Sequence, residues 1–141
     1  MKTKDKPRTA YFLKILNDRR NGGYTNYRWP RIGRWTERIH RLHMCQSGYH
    51  LLRPKDLDYW YGSPCGTRVF LVKAEIDGML ISNSKVVAHR AMLIKELKGH
   101  DDFITNHKER YGNFGRKAIT KLGEIWGIKM TPCHIYYGDD K

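Results

Sequence analysis

Residues 45–97, CQSGYHLLRPKDLDYWYGSPCGTRVFLVKAEIDGMLISNSKVVAHRAMLIKEL, carry the best-patterned apolar positions of the chain. Tyr49-His50-Leu51-Leu52 follows Gly48 as a short apolar run and predicts a strand. Pro54 suits a first helical position, where its missing N–H has no partner to lose. Residues 55–61 then set Leu57, Trp60 and Tyr61 on one helical face, and Gly62 closes the turn. From Arg68 the chain alternates. Phe70, Val72, Ala74 and Ile76 point one way and Lys73, Glu75 and Asp77 the other, the pattern of a strand leaving a core. Asp77-Gly78 predicts a type I′ turn with a return through Met79-Leu80-Ile81. Residues 85–97 admit two readings: Val86-Val87 favours a strand, whereas Val87, Ala91, Ile94 and Leu97 fit helical spacing.

Toward the N-terminus, AYFLKIL (residues 10–16) is apolar and β-rich, long enough for one strand, and Asn21-Gly22-Gly23 signals a turn. Residues 1–9 form a basic arm (Lys2, Lys4, Lys6, Arg8, with Pro7), read equally as a frayed end or a phosphate contact. Between strand and core lies YTNYRWPRIGRWTERIHRLHMC, residues 24–45, where Pro30 and Gly33 oppose a helix until Trp35. From there Trp35, Ile39 and Leu42 admit a short helical turn. Toward the C-terminus, Asp101 is a candidate cap for a helix carrying Phe103, Ile104, His107 and Tyr111. A turn at residues 112–115 leads to a helix over 116–126 with Ile119, Leu122, Ile125 and Trp126 inward and Arg116, Lys117 and Lys121 outward. Gly127 ends it, and residues 133–137 admit a last strand before the acidic Asp139-Asp140. The expected architecture is a basic arm (1–9) and one α+β domain (10–141). That domain has a mixed or antiparallel sheet, a short helix after the Gly-Tyr-His strand, and two C-terminal helices.

At 141 residues and 40% hydrophobic composition the chain supports one genuine core. Its net charge is +13, a surplus that attracts polyanions at long range. Nucleic acid is the first expected partner, with DNA ahead of RNA, and an acidic host-protein surface is the other. No apolar run reaches bilayer-spanning length, so no membrane partner is expected. Three widely spaced cysteines (Cys45, Cys65, Cys133) make no disulfide framework and fit a cytoplasmic setting.

The strongest binding pattern is the interleaving of Arg28, Arg31, Arg34, Arg38 and Arg41 with Tyr24, Tyr27, Trp29 and Trp35. Guanidinium groups grip phosphates bidentately, and indole and phenol rings offer stacking faces. The candidate nucleic-acid residues are therefore Arg28, Trp29, Arg31, Arg34, Trp35, Arg38 and Arg41, with Lys117 and Lys121 as a second cluster. The competing assignment makes Trp29 and Trp35 core anchors with the arginines snorkelling outward. His40, His43, Cys45 and His50 lack the paired spacing of a zinc site, so no metal is expected, and Cys45 reads as a small buried residue. No nucleophile elbow or phosphate-cradling glycine loop is present. A nuclease-like cluster of Asp58, Lys73 and Glu75 competes with a plain exposed strand edge.

Trp35, Cys45, Gly48-Tyr49-His50, Asp56-Leu57, Trp60, Val69, Val72, Glu75 and Lys85-Val86-Val87 together resemble an uncharacterised family of small phage and prophage proteins. The match covers somewhat less than half of the chain. More distantly, the same order of elements is similar to the middle of ADP-ribosyltransferases. There a Gly-aromatic strand precedes a tyrosine-bearing helix and a strand entering a tight turn. That likeness implies an enzyme using NAD to modify nucleic acid or a host protein. Tyr49 and Tyr59 would line a nicotinamide slot and His50 would hydrogen-bond ribose. Residues 11–16 lack the matching His or Arg-Gly signature. No late-strand glutamate supplies the acid, since Glu124 falls in a predicted helix.

Overall fold

A computed structural model describes residues 7–22, 25 and 27–138. Lys2, Lys4 and Lys6 of the basic arm, Tyr24, and the acidic Asp139-Asp140 lie outside the described residues. The elements are β1 (Thr9–Leu16), β2 (Tyr49–Leu51), α1 (Leu57–Trp60), β3 (Arg68–Glu75), β4 (Leu80–Ile81) and β5 (Val86–Ala88). They continue with β6 (Ala91–Leu97), α2 (Asp101–Tyr111), α3 (Arg116–Trp126), β7 (Lys129–Met130) and β8 (Ile135–Tyr136). A 3₁₀ turn, Pro54–Asp56, leads into α1. The fold is α+β, and every strand pairing is antiparallel.

The central sheet has the order β1-β3-β6, a second has β2-β5-β4, and β7-β8 is a small hairpin. Both faces of the central sheet are covered. On one, Leu13, Ile15, Val69 and Leu71 pack against Ile104 of α2 and Ile119, Leu122 and Trp126 of α3. On the other, Phe12, Leu16, Phe70, Val72 and Leu93 meet Tyr49, Leu51, Val86 and Ala88 of the second sheet, with Trp29 beside them. A sheet covered on both sides explains why the alternation from Arg68 is only partial. Val69 and Leu71 fill what the pattern makes the polar face, and only Lys73 and Glu75 at the far end are hydrophilic.

The stretch 85–97 resolves as two strands, β5 and β6. The turn after β3 departs from type I′. Gly78 has a φ of 76°, but Asp77 is not among the residues with positive φ, as that turn would require. Nor does the chain return along β3, whose two edges are taken by β1 and β6; β4 pairs with β5 instead.

The helical turn expected after Trp35 is absent. Residues 33–39 run extended beside β6: Gly33 N–H bonds the Leu93 carbonyl at 2.8 Å, Thr36 the Ala91 carbonyl at 2.9 Å, and Ile39 the His89 carbonyl at 2.8 Å. Backbone groups at an open sheet edge need partners, and meeting that need outweighs a one-turn helix with a costly nucleus. Asp101 is the first residue of α2 and not its cap, which is His100. Its carboxylate accepts the Tyr61 hydroxyl at 2.6 Å. The 116–126 helix forms with the expected buried face and ends at Gly127, in the left-handed conformation.

Candidate nucleic-acid interface and an adjoining cavity

Ion pairing separates the arginines into two groups. Arg8 pairs with Asp77, Arg38 and Arg90 with Glu75, Arg53 with Asp56, and Arg68 with Glu96. Those partners pull the carboxyls of Asp77 and Glu96 below their ordinary values, chiefly through hydrogen bonds from Arg8 and Arg68. Asp56, Glu75, Asp77 and Glu96 are thus committed elsewhere, while Glu37, inside the arginine segment, is exposed and in no ion pair among the described residues. Arg28, Arg31, Arg34 and Arg41 are exposed, and among the described residues none is in an ion pair. The middle of their segment, residues 33–39, is pinned beside β6 and anchors the backbone at Arg34, with Arg28, Arg31 and Arg41 flanking that stretch. Arg38 belongs to the same segment and is also exposed, but its guanidinium is committed to Glu75, donating at 2.6 Å.

The two tryptophans are not open stacking platforms. Trp29 is buried, its ring 5.4 Å from that of Tyr49. Trp35 is half-buried under the Arg90 guanidinium, 4.3 Å from its ring centroid. Lys117 and Lys121 are exposed on α3, in the layer across the central sheet from Trp29, and Lys121 lies 4.0 Å from Glu124. The structure therefore does not merge them with the arginine segment.

Beside that segment opens a cavity of about 630 Å³. Tyr27, Trp29 and Ile39 of the segment form one wall, the loop of residues 45–48 and Tyr49-His50 another, and Lys14, Trp60, Cys65 and Lys85 complete it. Gly48 makes the loop possible. It has a φ of 110°, and a Cβ there would stand 2.5 Å from Val87 Cγ1 and 2.7 Å from Leu42 Cδ2. Gly66 likewise brings the Cys65 wall against β1, since a Cβ would lie 2.4 Å from the Leu16 carbonyl oxygen.

Two ammonium groups reach this cavity. Lys14 Nζ donates to the His50 carbonyl at 2.8 Å and sits 5.5 Å from the Trp29 ring centroid. Burial lowers its pKa from 10.5 to about 8. Lys85 Nζ lies 2.8 Å from Cys45 Sγ and 4.9 Å from the Trp60 ring centroid. His50 Nε2 accepts the Cys45 N–H at 2.8 Å, which puts the proton of the neutral ring on Nδ1. Desolvation, followed by Lys14 and Lys85, lowers the His50 pKa to about 4, so the ring is neutral at pH 7. Burial, and a hydrogen bond in which the Tyr27 hydroxyl donates to that of Tyr49, raise the Tyr27 phenol above its ordinary value.

Of the residues suggested by the enzyme likeness, Tyr49 and His50 share the cavity, with the Tyr49 hydroxyl bonding the Glu37 carbonyl at 2.7 Å. Tyr59 does not line it. It is 72% exposed, with its neighbour Trp60 on the wall instead. No Asp or Glu lines the cavity among the described residues, and Glu124 is exposed on α3. Asp58 caps the backbone of Phe114 while Glu75 holds Arg38 and Arg90, so the nuclease-like pair has separate structural duties. Cys45, expected to be buried, is exposed at the rim with a φ of 68°.

Sequence reading missed Lys14, Lys85, Tyr27, Trp60 and Cys65 as cavity residues. Lys14 carried a signal, being the one charged residue inside the apolar run AYFLKIL. Among the described residues no group of three His, Cys, Asp or Glu side chains is placed to hold a metal ion, and no helix is long and apolar enough to cross a membrane. Comparison of the chain with protein-family models, curated proteins and solved structures gives no match.

Proposed function

We propose that this protein binds nucleic acid, DNA foremost, through phosphate contacts from Arg28, Arg31, Arg34 and Arg41. The observation that carries this reading is the division of the arginines. Acids elsewhere in the chain neutralise one set. These four are exposed, in no ion pair among the described residues, and gathered in one stretch whose residues 33–39 are hydrogen-bonded beside β6. The other exposed arginines in no described ion pair, Arg19, Arg110 and Arg116, lie apart from it in sequence. Side chains so presented meet a phosphate chain with little reorganisation, and the net charge of +13 supports steering at long range. The likeness to small phage and prophage proteins supports a mobile-element setting and a cytoplasmic one. Fluorescence anisotropy with labelled mixed-sequence DNA and RNA at low salt tests it. Binding that weakens as salt rises is expected; no binding, or binding indifferent to salt, overturns it.

A second reading is an ADP-ribosyltransferase-like enzyme using NAD. It is favoured by Tyr49 and His50 walling one cavity. Incubation with labelled NAD and a panel of nucleic-acid and protein acceptors tests it, and neither NAD binding nor label transfer would dispose of it.

A further inference from the structure

The cavity joins two features that occur nowhere else together among the described residues: paired ring-and-ammonium units, and a wall shared with the arginine segment. We propose that it receives a single unpaired nucleotide of the bound strand, its base among the aromatic rings and its phosphate between Lys14 and Lys85. This inference rests on the nucleic-acid reading above and names what the cavity does within it.

Size and lining agree with such a ligand. About 630 Å³ falls within the roughly 300–1,000 Å³ of small-molecule sites. Exposed Tyr27 and half-buried Trp60 supply open aromatic surface, which every base can meet with its own π-face, and Trp29 and Tyr49 are buried beside Tyr27 as its packing support. Charge narrows the class further. Lys14 stands near Trp29 and Lys85 near Trp60, so each ring has an ammonium within about a side chain's reach of a stacked base. The described lining contains no carboxylate to balance them. Lys14 is held in a desolvated position, donating to a carbonyl oxygen beside an aromatic face, with Cys65 and the second ammonium of Lys85 close enough to act on its charge. An anionic group entering the cavity supplies a counter-charge that its described lining does not. The neutral His50 ring, fixed by the Cys45 N–H, leaves the polar rim uncharged beside it.

Access follows from the shared wall. Tyr27, Trp29 and Ile39 are interspersed in sequence with Arg28, Arg31, Arg34 and Arg41, so a strand gripped by those arginines follows the segment that walls the cavity. A base stacked inside a duplex does not enter a concave site without leaving its helix, whereas a base of a single strand does so at little cost. The cavity therefore makes the protein selective for single-stranded over duplex nucleic acid, a selectivity that exposed arginines alone do not give.

The test titrates the wild type, Lys14→Met and Lys85→Met with one labelled oligonucleotide as single strand and as blunt duplex, at the same salt. It adds deoxyadenosine monophosphate and NAD as competitors, with circular dichroism checking each fold. The wild type is expected to bind the single strand at least tenfold more tightly than the duplex. Each lysine variant should lose most of that preference while keeping duplex affinity within about twofold, and the monophosphate should compete for the single strand only. Equal affinity for both forms, unchanged in either variant, overturns the cavity inference and leaves the arginine reading standing. Loss of all binding by the wild type overturns both. NAD that binds in a Lys14-dependent manner and is not displaced by the single strand assigns the cavity to another ligand and also overturns the inference.

Discussion

Arg38 donates a 2.6 Å hydrogen bond to the buried carboxylate of Glu75, fastening the arginine segment to the end of the central strand β3. Arg90 takes the second oxygen of the same carboxylate and lays its guanidinium over Trp35, so one acid organises two cations and a ring. Glu75→Gln leaves two guanidinium groups without their counter-charge. Breaking a buried pair costs roughly 3–5 kcal/mol, and both arginines keep about a third of their side-chain exposure, so a loss of roughly 2–4 kcal/mol is expected. Urea denaturation of the two proteins measures it.

The four unpaired arginines differ from their paired neighbours in what their loss affects. Replacing Arg28, Arg31, Arg34 or Arg41 by Gln should leave stability within about 0.5 kcal/mol, as for most surface changes. Each arginine that touches a phosphate should reduce the salt slope of binding by about one on replacement. Arg68→Gln is the control. It breaks the pair with Glu96 and lowers stability while leaving the slope unchanged.

Lys14 illustrates a site residue held against the interest of the fold. Its pKa is about 8 in the folded chain against 10.5 for the unperturbed group. Between those values the unfolded chain binds more protons, so stability rises with pH across pH 8–10.5, and the burial cost is fully present below pH 8. Lys14→Met removes a cost of at most about 3 kcal/mol and forfeits the bond to the His50 carbonyl. A net gain of about 1–2 kcal/mol at pH 7 is expected, and it should shrink as pH rises toward 10.5. Thermal unfolding of both proteins across that range checks the sign.

His50 acts in the opposite pH range. Its pKa falls from 6.5 to about 4 on folding, so as pH drops below 6.5 the unfolded chain protonates first and the native state loses stability down to about pH 4. His50→Gln lacks this loss. The stability difference between wild type and variant should therefore shift in favour of the variant as pH falls from 7 to 5. Asp77 and Glu96 have ordinary values of 3.8 and 4.5 and lowered native ones, so their own losses come mainly below that window.

Local pattern made part of this structure legible. The apolar face of α3, the strand at residues 10–16 and the short helix after Pro54 all follow from periodicity and from proline and glycine placement. Residues 33–39 did not follow, because their partner β6 lies more than fifty positions away and an extended edge segment has no periodicity of its own. The cavity was hidden for the same reason. Lys14, Tyr27, Trp29, His50, Trp60, Cys65 and Lys85 come from separate stretches and meet only once the sheets pack. Residues 28–41 stood out in the sequence as a basic aromatic run; which arginines were free depended on where Glu75 and the other acids settled.

Binding through the arginine segment is tested most directly by the salt dependence of affinity for single-stranded DNA. The comparison is between wild type and a variant with Arg28, Arg31, Arg34 and Arg41 all changed to Gln. Log affinity against log salt should be linear for the wild type, with a slope of about −3 for four contacts at roughly −0.7 each. In the variant the slope should be shallower by most of that amount with the fold intact, the cavity lysines supplying what remains. Equal slopes for the two proteins would contradict it.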